Sequence, residues 1–279
     1  GEKILDILLS GSHSLSMEAM ETIHNYFYLP IGGKTVSCPY FNNARAKARG
    51  GLRVFTGKGS SAEILEEVVI LAKKKRIDLN TLTENEIKKF LVENNIGIDC
   101  SGFAYHILDS ELRARHLKKL SANLTFSLLS NFLKRILAKL RAAQNTNVLT
   151  LSQKENSFGV KLKEIKPGDI IIMLGTGPKH DRDHILLIDK INYNTADCNI
   201  GASEIKEPQS ITYVHSFMWS KDGKYNGGVK QGKIIVSNAN TGLLEQIWQE
   251  DGKIGRDNET FLHAKQAKLL DIRRLNVLM

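Results

Sequence analysis

The run Asp99-Cys100-Ser101-Gly102-Phe103 sets a cysteine at a loop-to-helix junction, the position at which a thiol becomes a nucleophile. Upstream, Asn94-Asn95-Ile96-Gly97 breaks a helical run, and downstream Phe103, Ile107 and Leu108 recur at helical spacing. Cys100 therefore belongs to the first turn of a new helix. Free backbone N–H groups and the positive end of the helix dipole stabilise a thiolate there, drawing the thiol pKa below its free value of about 8.5. Ser101 and Gly102 leave space beside the sulfur, and Asp99 suits the N-cap. The competing reading is a buried structural cysteine, the usual fate of an unpaired one.

A second segment bears on that choice. Lys166-Pro167-Gly168-Asp169 is a turn, 170–173 a strand, and His184-Ile185-Leu186-Leu187-Ile188 a second strand that opens on histidine. The two make a hairpin with a base at its edge. A cysteine enzyme needs an imidazole within reach of the thiol's proton, and the two partners are neighbours in space rather than in sequence. A third group fixes the imidazole tautomer through its other nitrogen. The next strand-like run, 211–216, offers His215. Taken singly, each histidine is more often a surface residue or a hydrogen-bonded core residue; order and context make the set specific.

These motifs resemble the NlpC-type peptidases, papain-like enzymes that cut the stem peptides of bacterial peptidoglycan. That family's pattern is a DCSGF nucleophile motif, a PGD turn leading into a strand, a strand beginning with His, and a polar residue on the following strand. Here the pattern reads as Asp99 to Phe103, Pro167 to Asp169, His184 and His215. The resemblance implies Cys100 as nucleophile, His184 as general base and then acid, and His215 as the orienting residue. It covers about 120 to 150 residues, centred on 98–216. It implies an extracytoplasmic or wall-associated protein, and a peptide bond in peptidoglycan, with a D-amino acid, as substrate.

The chain also departs from the family. A short Pro-Tyr and Gly-Gly segment usually lies some ten residues before the nucleophile motif, whereas Pro39-Tyr40-Phe41-Asn42-Asn43 lies about 60 residues before it. The region between reads as an inserted helical element. Family members often place an upstream tyrosine near the oxyanion site, which makes Tyr40 a candidate for that role beside Ser101 and Asp99. Further extra length follows the nucleophile helix, and the loop 192–209 precedes the strand of His215.

Composition agrees with a water-soluble enzyme. The 279 residues can bury a substantial core, and no apolar run approaches the roughly 18 to 20 residues of a membrane span. Residues 3–9 hold a short apolar stretch without the parts of a complete signal peptide, and an opening on Gly1 reads as a trimmed start. Cys38, Cys100 and Cys198 are too widely spaced for a zinc motif, so neither metal nor cofactor is expected. A Cys38 to Cys198 disulfide suits an exported chain; two unpaired thiols is the preferred reading. The formal charge of +9 favours anionic surroundings: nucleic acid, anionic lipid or wall polymer. Basic clusters at 45–49, 73–76 and 134–141 lack the interleaved aromatics of a single-strand binding platform, which argues against nucleic acid as the main partner. The sequence does not set the oligomeric state.

The elements that must position these groups follow from periodicity and caps. Residues 17–28 read as a helix, with a turn at Gly32-Gly33, and 50–55 as a short strand. Gly57-Lys58-Gly59-Ser60-Ser61 is a turn ending in a cap rather than a phosphate loop, since the full glycine pattern is missing. Ser60 or Ser61 caps a helix over 62–75, and Thr83 with Glu86 forms a capping box for 84–93. These two helices are read as a lid or docking surface beside the nucleophile. Leu117, Leu120, Leu124, Leu128, Phe132, Ile136 and Leu140 recur at helical spacing and predict a basic amphipathic helix over 116–141. Packing on the catalytic core is the preferred reading of it, a membrane-surface or partner-binding helix the other. Runs at 232–237 and 267–275 look like strands, with 243–248 a short helix or strand.

The expected architecture is α+β, a papain-like core whose central antiparallel sheet packs against helices and carries helical insertions. Residues 1–97 form an N-terminal segment packed on the core, and 98–279 the catalytic core. The expected chemistry is attack of the Cys100 thiolate on an amide carbonyl, protonation of the leaving amine by His184, and hydrolysis of the acyl-enzyme. Two alternatives stay open: a thiol-dependent acyltransferase or deamidase on the same fold, and an inactive wall- or nucleic-acid-binding protein.

Overall fold

The structure is a computed structural model that describes residues 12–42, 52–129, 131–193 and 207–279. The described residues fall into two compact units. One holds 12–15, 157–193, 207–214 and 231–279; the other holds 16–42, 52–129, 131–156 and 215–230. The fold is mixed α and β, with a large antiparallel sheet and several helices.

The strands are β1 (Ser12–Ser14), β2 (Leu29–Ile31), β3 (Lys34–Val36), β4 (Ser157–Gly159), β5 (Ile170–Thr176) and β6 (Arg182–Tyr193). They continue with β7 (Pro208–Phe217), β8 (Gly228–Ile235), β9 (Ile247–Glu250), β10 (Lys253–Ile254) and β11 (Leu269–Leu275). The sheet of the first unit runs β10-β9-β8-β7-β6-β5-β11-β4, with β1 paired to the far part of β6. The last three residues of β7 and the first three of β8 belong to the second unit.

The apolar runs of β5 and β6 are buried continuously, as strands covered on both faces must be. Ile171, Met173, Leu186, Ile188, Tyr213 and Trp248 form the heart of this core. The helix Glu259–Gln266 contributes Ala264 to it. The turn before β5 is fixed by Gly168 at φ +91 and by Asp169, whose Oδ2 accepts from the Lys166 N–H at 2.7 Å. Asp169 is fully buried and meets the Arg274 guanidinium twice, at 2.7 and 2.8 Å. Burial raises its carboxyl above the usual range, and the Arg274 bonds oppose that rise.

The second unit is mainly helical. Helices Met17–Phe27, Ser61–Lys75, Glu84–Glu93 and Cys100–Ala114 each begin on a side-chain cap, from Ser16, Ser60, Thr83 and Asp99 respectively. Ser60 with Glu63 and Thr83 with Glu86 make complete capping boxes. The hairpin of β2 and β3 turns on Gly32 and Gly33, both at positive φ, which matches strand twist in a two-residue turn.

Three sequence expectations change here. The single helix over 116–141 is instead a four-residue turn of helix, Leu120–Asn123, and a nine-residue helix, Phe132–Leu140. The polar residues between them compete for the backbone: Asn123 Nδ2 donates to the carbonyls of Lys118 and Lys119, and Asn156 brackets Thr125 through both its N–H and its carbonyl. The strand expected at 50–55 is a 3₁₀ turn, Arg53–Thr56, closed by Gly57 in the left-handed region; Gly50 and Gly51 lie outside the described residues. The segment 243–248 splits into a 3₁₀ turn, Leu243–Glu245, and the start of β9. The stretch 3–9, the basic cluster 45–49, Cys198 and most of the loop 192–209 also lie outside the described residues.

Candidate functional site

Cys100 is the first residue of its helix and is 6 % exposed. Asp99 caps that helix: its Oδ1 accepts from the Gly102 N–H at 2.6 Å and from the Ser101 hydroxyl at 3.1 Å. The same oxygen takes a third bond, from the buried ammonium of Lys58 at 2.9 Å. Lys58 Nζ also donates to Ser101 Oγ at 2.5 Å and to the Thr146 carbonyl at 2.9 Å, so all three of its donors are used. A buried lysine keeps its charge only where such partners repay the lost hydration. Its effect is to fix a rigid cap at the turn that carries Cys100.

The turn that bears Lys58 is built to approach this helix closely. A Cβ on Gly102 would lie 2.6 Å from the Gly57 carbonyl oxygen, and one on Gly57 would lie 2.3 Å from the Phe41 carbonyl oxygen. The Gly57 carbonyl accepts the Asp99 N–H at 2.9 Å. Behind it, His106 Nε2 donates to the Lys58 carbonyl at 2.9 Å, and burial holds this imidazole below its ordinary pKa. Tyr26 adds a hydroxyl bond of 2.8 Å to the Gly59 carbonyl.

The segment at Pro39-Tyr40-Phe41 is brought directly beside the nucleophile motif, in spite of its distance in sequence. Ile98 N–H donates to the Pro39 carbonyl at 3.0 Å, and Phe41 N–H to the Ile98 carbonyl at 3.2 Å. The Ile98 carbonyl also accepts the Ser216 hydroxyl at 2.7 Å. This ties the end of β7 to a point two residues before Cys100. Tyr40 stands edge-on to Phe217 with ring centroids 6.2 Å apart, its hydroxyl accepting from Asn42 Nδ2 at 3.2 Å. His215 is buried and its ring stacks on Phe217, also at 6.2 Å.

Cys100, Asp99, Ser101, Tyr40 and His215 therefore share one unit. His184 belongs to the other unit. It is 2 % exposed and sits near the start of β6, opposite Met173 of β5. The Gly168 N–H to Ile188 carbonyl bond and the Ile188 N–H to Asp169 carbonyl bond, both 2.9 Å, lock the register of this hairpin. The turn motif at Pro167 to Asp169 thus sets where His184 falls along the strand.

Lys58, Thr146, Ser216 and Arg274 escape the reading of the sequence. A lysine between two glycines is the one visible signal for Lys58, since it strips bulk from both sides of a cation. Full burial pushes the Cys38 thiol far up, which makes it a poor nucleophile. Among the described residues, no group of His, Cys, Asp and Glu could hold a metal ion, and no helix is long and apolar enough to cross a membrane. Comparison with protein-family models, curated proteins and solved structures finds no match to this chain.

Proposed function

We propose that this chain is a cysteine peptidase with a papain-like catalytic core, hydrolysing amide bonds of peptidoglycan stem peptides. The observation that carries the reading is the position of Cys100 as first residue of a helix whose cap, Asp99, is held by a buried lysine. Dipole and first-turn N–H groups favour an anion at that place, and Lys58 fixes the cap that presents them. The same first-turn N–H groups also suit the oxyanion that develops on an attacked carbonyl.

In the proposed reaction the Cys100 thiolate attacks the amide carbonyl carbon, and its oxygen takes the negative charge. The C–N bond then breaks as protonated His184 gives its proton to the amine. Water next attacks the thioester while His184 takes back a proton; the C–S bond breaks, releasing a carboxylate and the thiolate. The resemblance to NlpC-type peptidases assigns the orienting role to His215 and the oxyanion-side role to Tyr40, with Ser101 and Asp99 as further candidates there. The stem-peptide substrate and a location outside the cytoplasmic membrane come from the resemblance to NlpC-type peptidases.

The test is digestion of purified muropeptides followed by mass spectrometry, with Cys100→Ala and His184→Ala as controls. The proposal requires a new amine and a new carboxylate at one peptide bond, lost in both variants. A parallel measurement is the pH profile of Cys100 alkylation by iodoacetamide. Rapid labelling well below the free-thiol range, slowed in His184→Ala, is expected. An ordinary thiol profile in both chains would sink the paired-thiol mechanism, and transfer of the acyl group to an added amine in preference to water would make the chain an acyltransferase.

A further inference from the structure

The helix Phe132–Leu140 leaves its apolar residues in solvent. Phe132 is 72 % exposed, Leu133 65 % and Leu140 77 %, with Ile136 and Leu137 also exposed; Ala138 is the buried residue of the helix. At 100° per residue the five exposed apolar side chains fall within one arc of about 140°. Ala138 lies on the opposite side and marks the inward face. Lys134 borders one edge of the arc, and Arg135 with Lys139 the other. Leu128, in the turn before the helix, is exposed as well.

The charge around this face has one sign. Between Glu111 and Glu155 the sequence contains nine Lys and Arg residues and neither Asp nor Glu. Arg135 is anchored, donating to the carbonyls of Leu129 and Ser127 at 2.6 and 3.3 Å, so the helix end is held while its apolar face stays outward. An outward apolar arc edged by cations is the pattern of a helix that lies in a bilayer interface, its apolar side chains among the acyl chains and its cations among anionic headgroups. A second copy of this chain is a poor occupant, because two such faces would oppose like charges.

We infer that the helix Phe132–Leu140 is a docking surface for a bilayer rich in anionic lipid. The inference is independent of the thiol chemistry, and Cys100→Ala is expected to bind lipid like the parent chain.

The experiment is sedimentation of the full chain with vesicles of phosphatidylglycerol and phosphatidylcholine in equal parts, against vesicles of phosphatidylcholine alone. Phe132→Trp supplies a fluorescence reporter on the apolar face, since Trp219 and Trp248 are buried. Binding to the anionic vesicles with a blue shift of the new tryptophan is expected. Lys134→Gln with Lys139→Gln should weaken it by about tenfold to thirtyfold, and Leu133→Ser with Leu140→Ser should abolish the insertion. Circular dichroism of each variant checks that these surface changes leave the fold intact. Equal binding to both vesicle types, anionic binding without a blue shift, or anionic binding indifferent to the serine pair would each overturn the inference. So would absence of vesicle binding, including the case in which sedimentation velocity shows a dimer that the serine pair dissolves.

Discussion

Lys58 Nζ lies 2.9 Å from Asp99 Oδ1, with the two side chains only 8 % and 10 % exposed, at the cap of the helix that Cys100 opens. The pair is a charge placement as much as a stability device. Replacing a buried ion pair whole is often neutral, whereas removing one partner strands the other.

Lys58→Met is therefore expected to destabilise the chain by about 3 kcal/mol, since Asp99 would stay buried without its cation. Asp99→Asn keeps a good capping residue and should cost less. The double variant should recover about 1–3 kcal/mol of the summed losses, measured by urea unfolding. Additive losses, with no recovery, would mean that the contact carries no coupling. Iodoacetamide labelling of Cys100 in Lys58→Met at a pH where the fold is intact should be slower than in the parent.

Gly102→Ala tests the close approach of the Lys58 turn. The added carbon would meet the Gly57 carbonyl oxygen at 2.6 Å, a backbone atom that cannot swing aside. A loss of about 1–3 kcal/mol is expected, together with slower Cys100 alkylation. Gly159→Ala is the control: its added carbon would meet only the Asp271 carboxylate oxygens at ordinary contact distance. A Gly102→Ala chain as stable as the Gly159→Ala chain would remove close packing as the reason for glycine there.

The elements that carry the candidate residues are legible in the sequence because each has a local signal. Asp99, Thr83 and Ser60 announce helix starts through their own side-chain bonds, and the apolar runs at 170–173 and 185–188 announce buried strands. The mixed α and β architecture and antiparallel sheet follow from those elements. What the sequence hid was long-range pairing. Lys58 finds Asp99 across 41 positions and Thr146 across 88, and Asp169 finds Arg274 across 105. No periodicity encodes such partners. The helix expected at 116–141 breaks for a different reason: leucine spacing persists through Asn123, Thr125 and Ser127, but Asn123 takes the carbonyls of Lys118 and Lys119, Asn156 takes both backbone groups of Thr125, and Arg135 takes the Ser127 carbonyl.

Arg274→Met probes the turn that places His184. It would leave the fully buried Asp169 carboxylate facing the Lys166 N–H alone. A destabilisation of about 3–5 kcal/mol is expected, partly restored by adding Asp169→Asn. The same chains, assayed by hydrogen exchange, should show faster exchange of the Ile188 amide, which donates to the Asp169 carbonyl. Protection of that amide unchanged in Arg274→Met would show that the ion pair does not hold the hairpin register.

Asp189 supplies a pH test in the first unit. It is buried, its Oδ2 accepts from Gln231 Nε2 at 3.0 Å, and its Oδ1 has no hydrogen-bond partner among the described residues. Burial pushes its carboxyl up to about 6, above the unfolded value of about 3.9. The folded chain thus holds this proton more tightly than the unfolded chain. Its contribution to stability is fully present below about pH 4 and is lost as pH rises through about 6. Asp189→Asn cannot ionise, so its stability relative to the parent should improve by about 2–3 kcal/mol between pH 4 and pH 8. Urea unfolding of both chains at the two pH values gives that difference directly. A gap between the chains that stays constant with pH would mean that Asp189 titrates like an exposed carboxyl, through solvent reaching Oδ1.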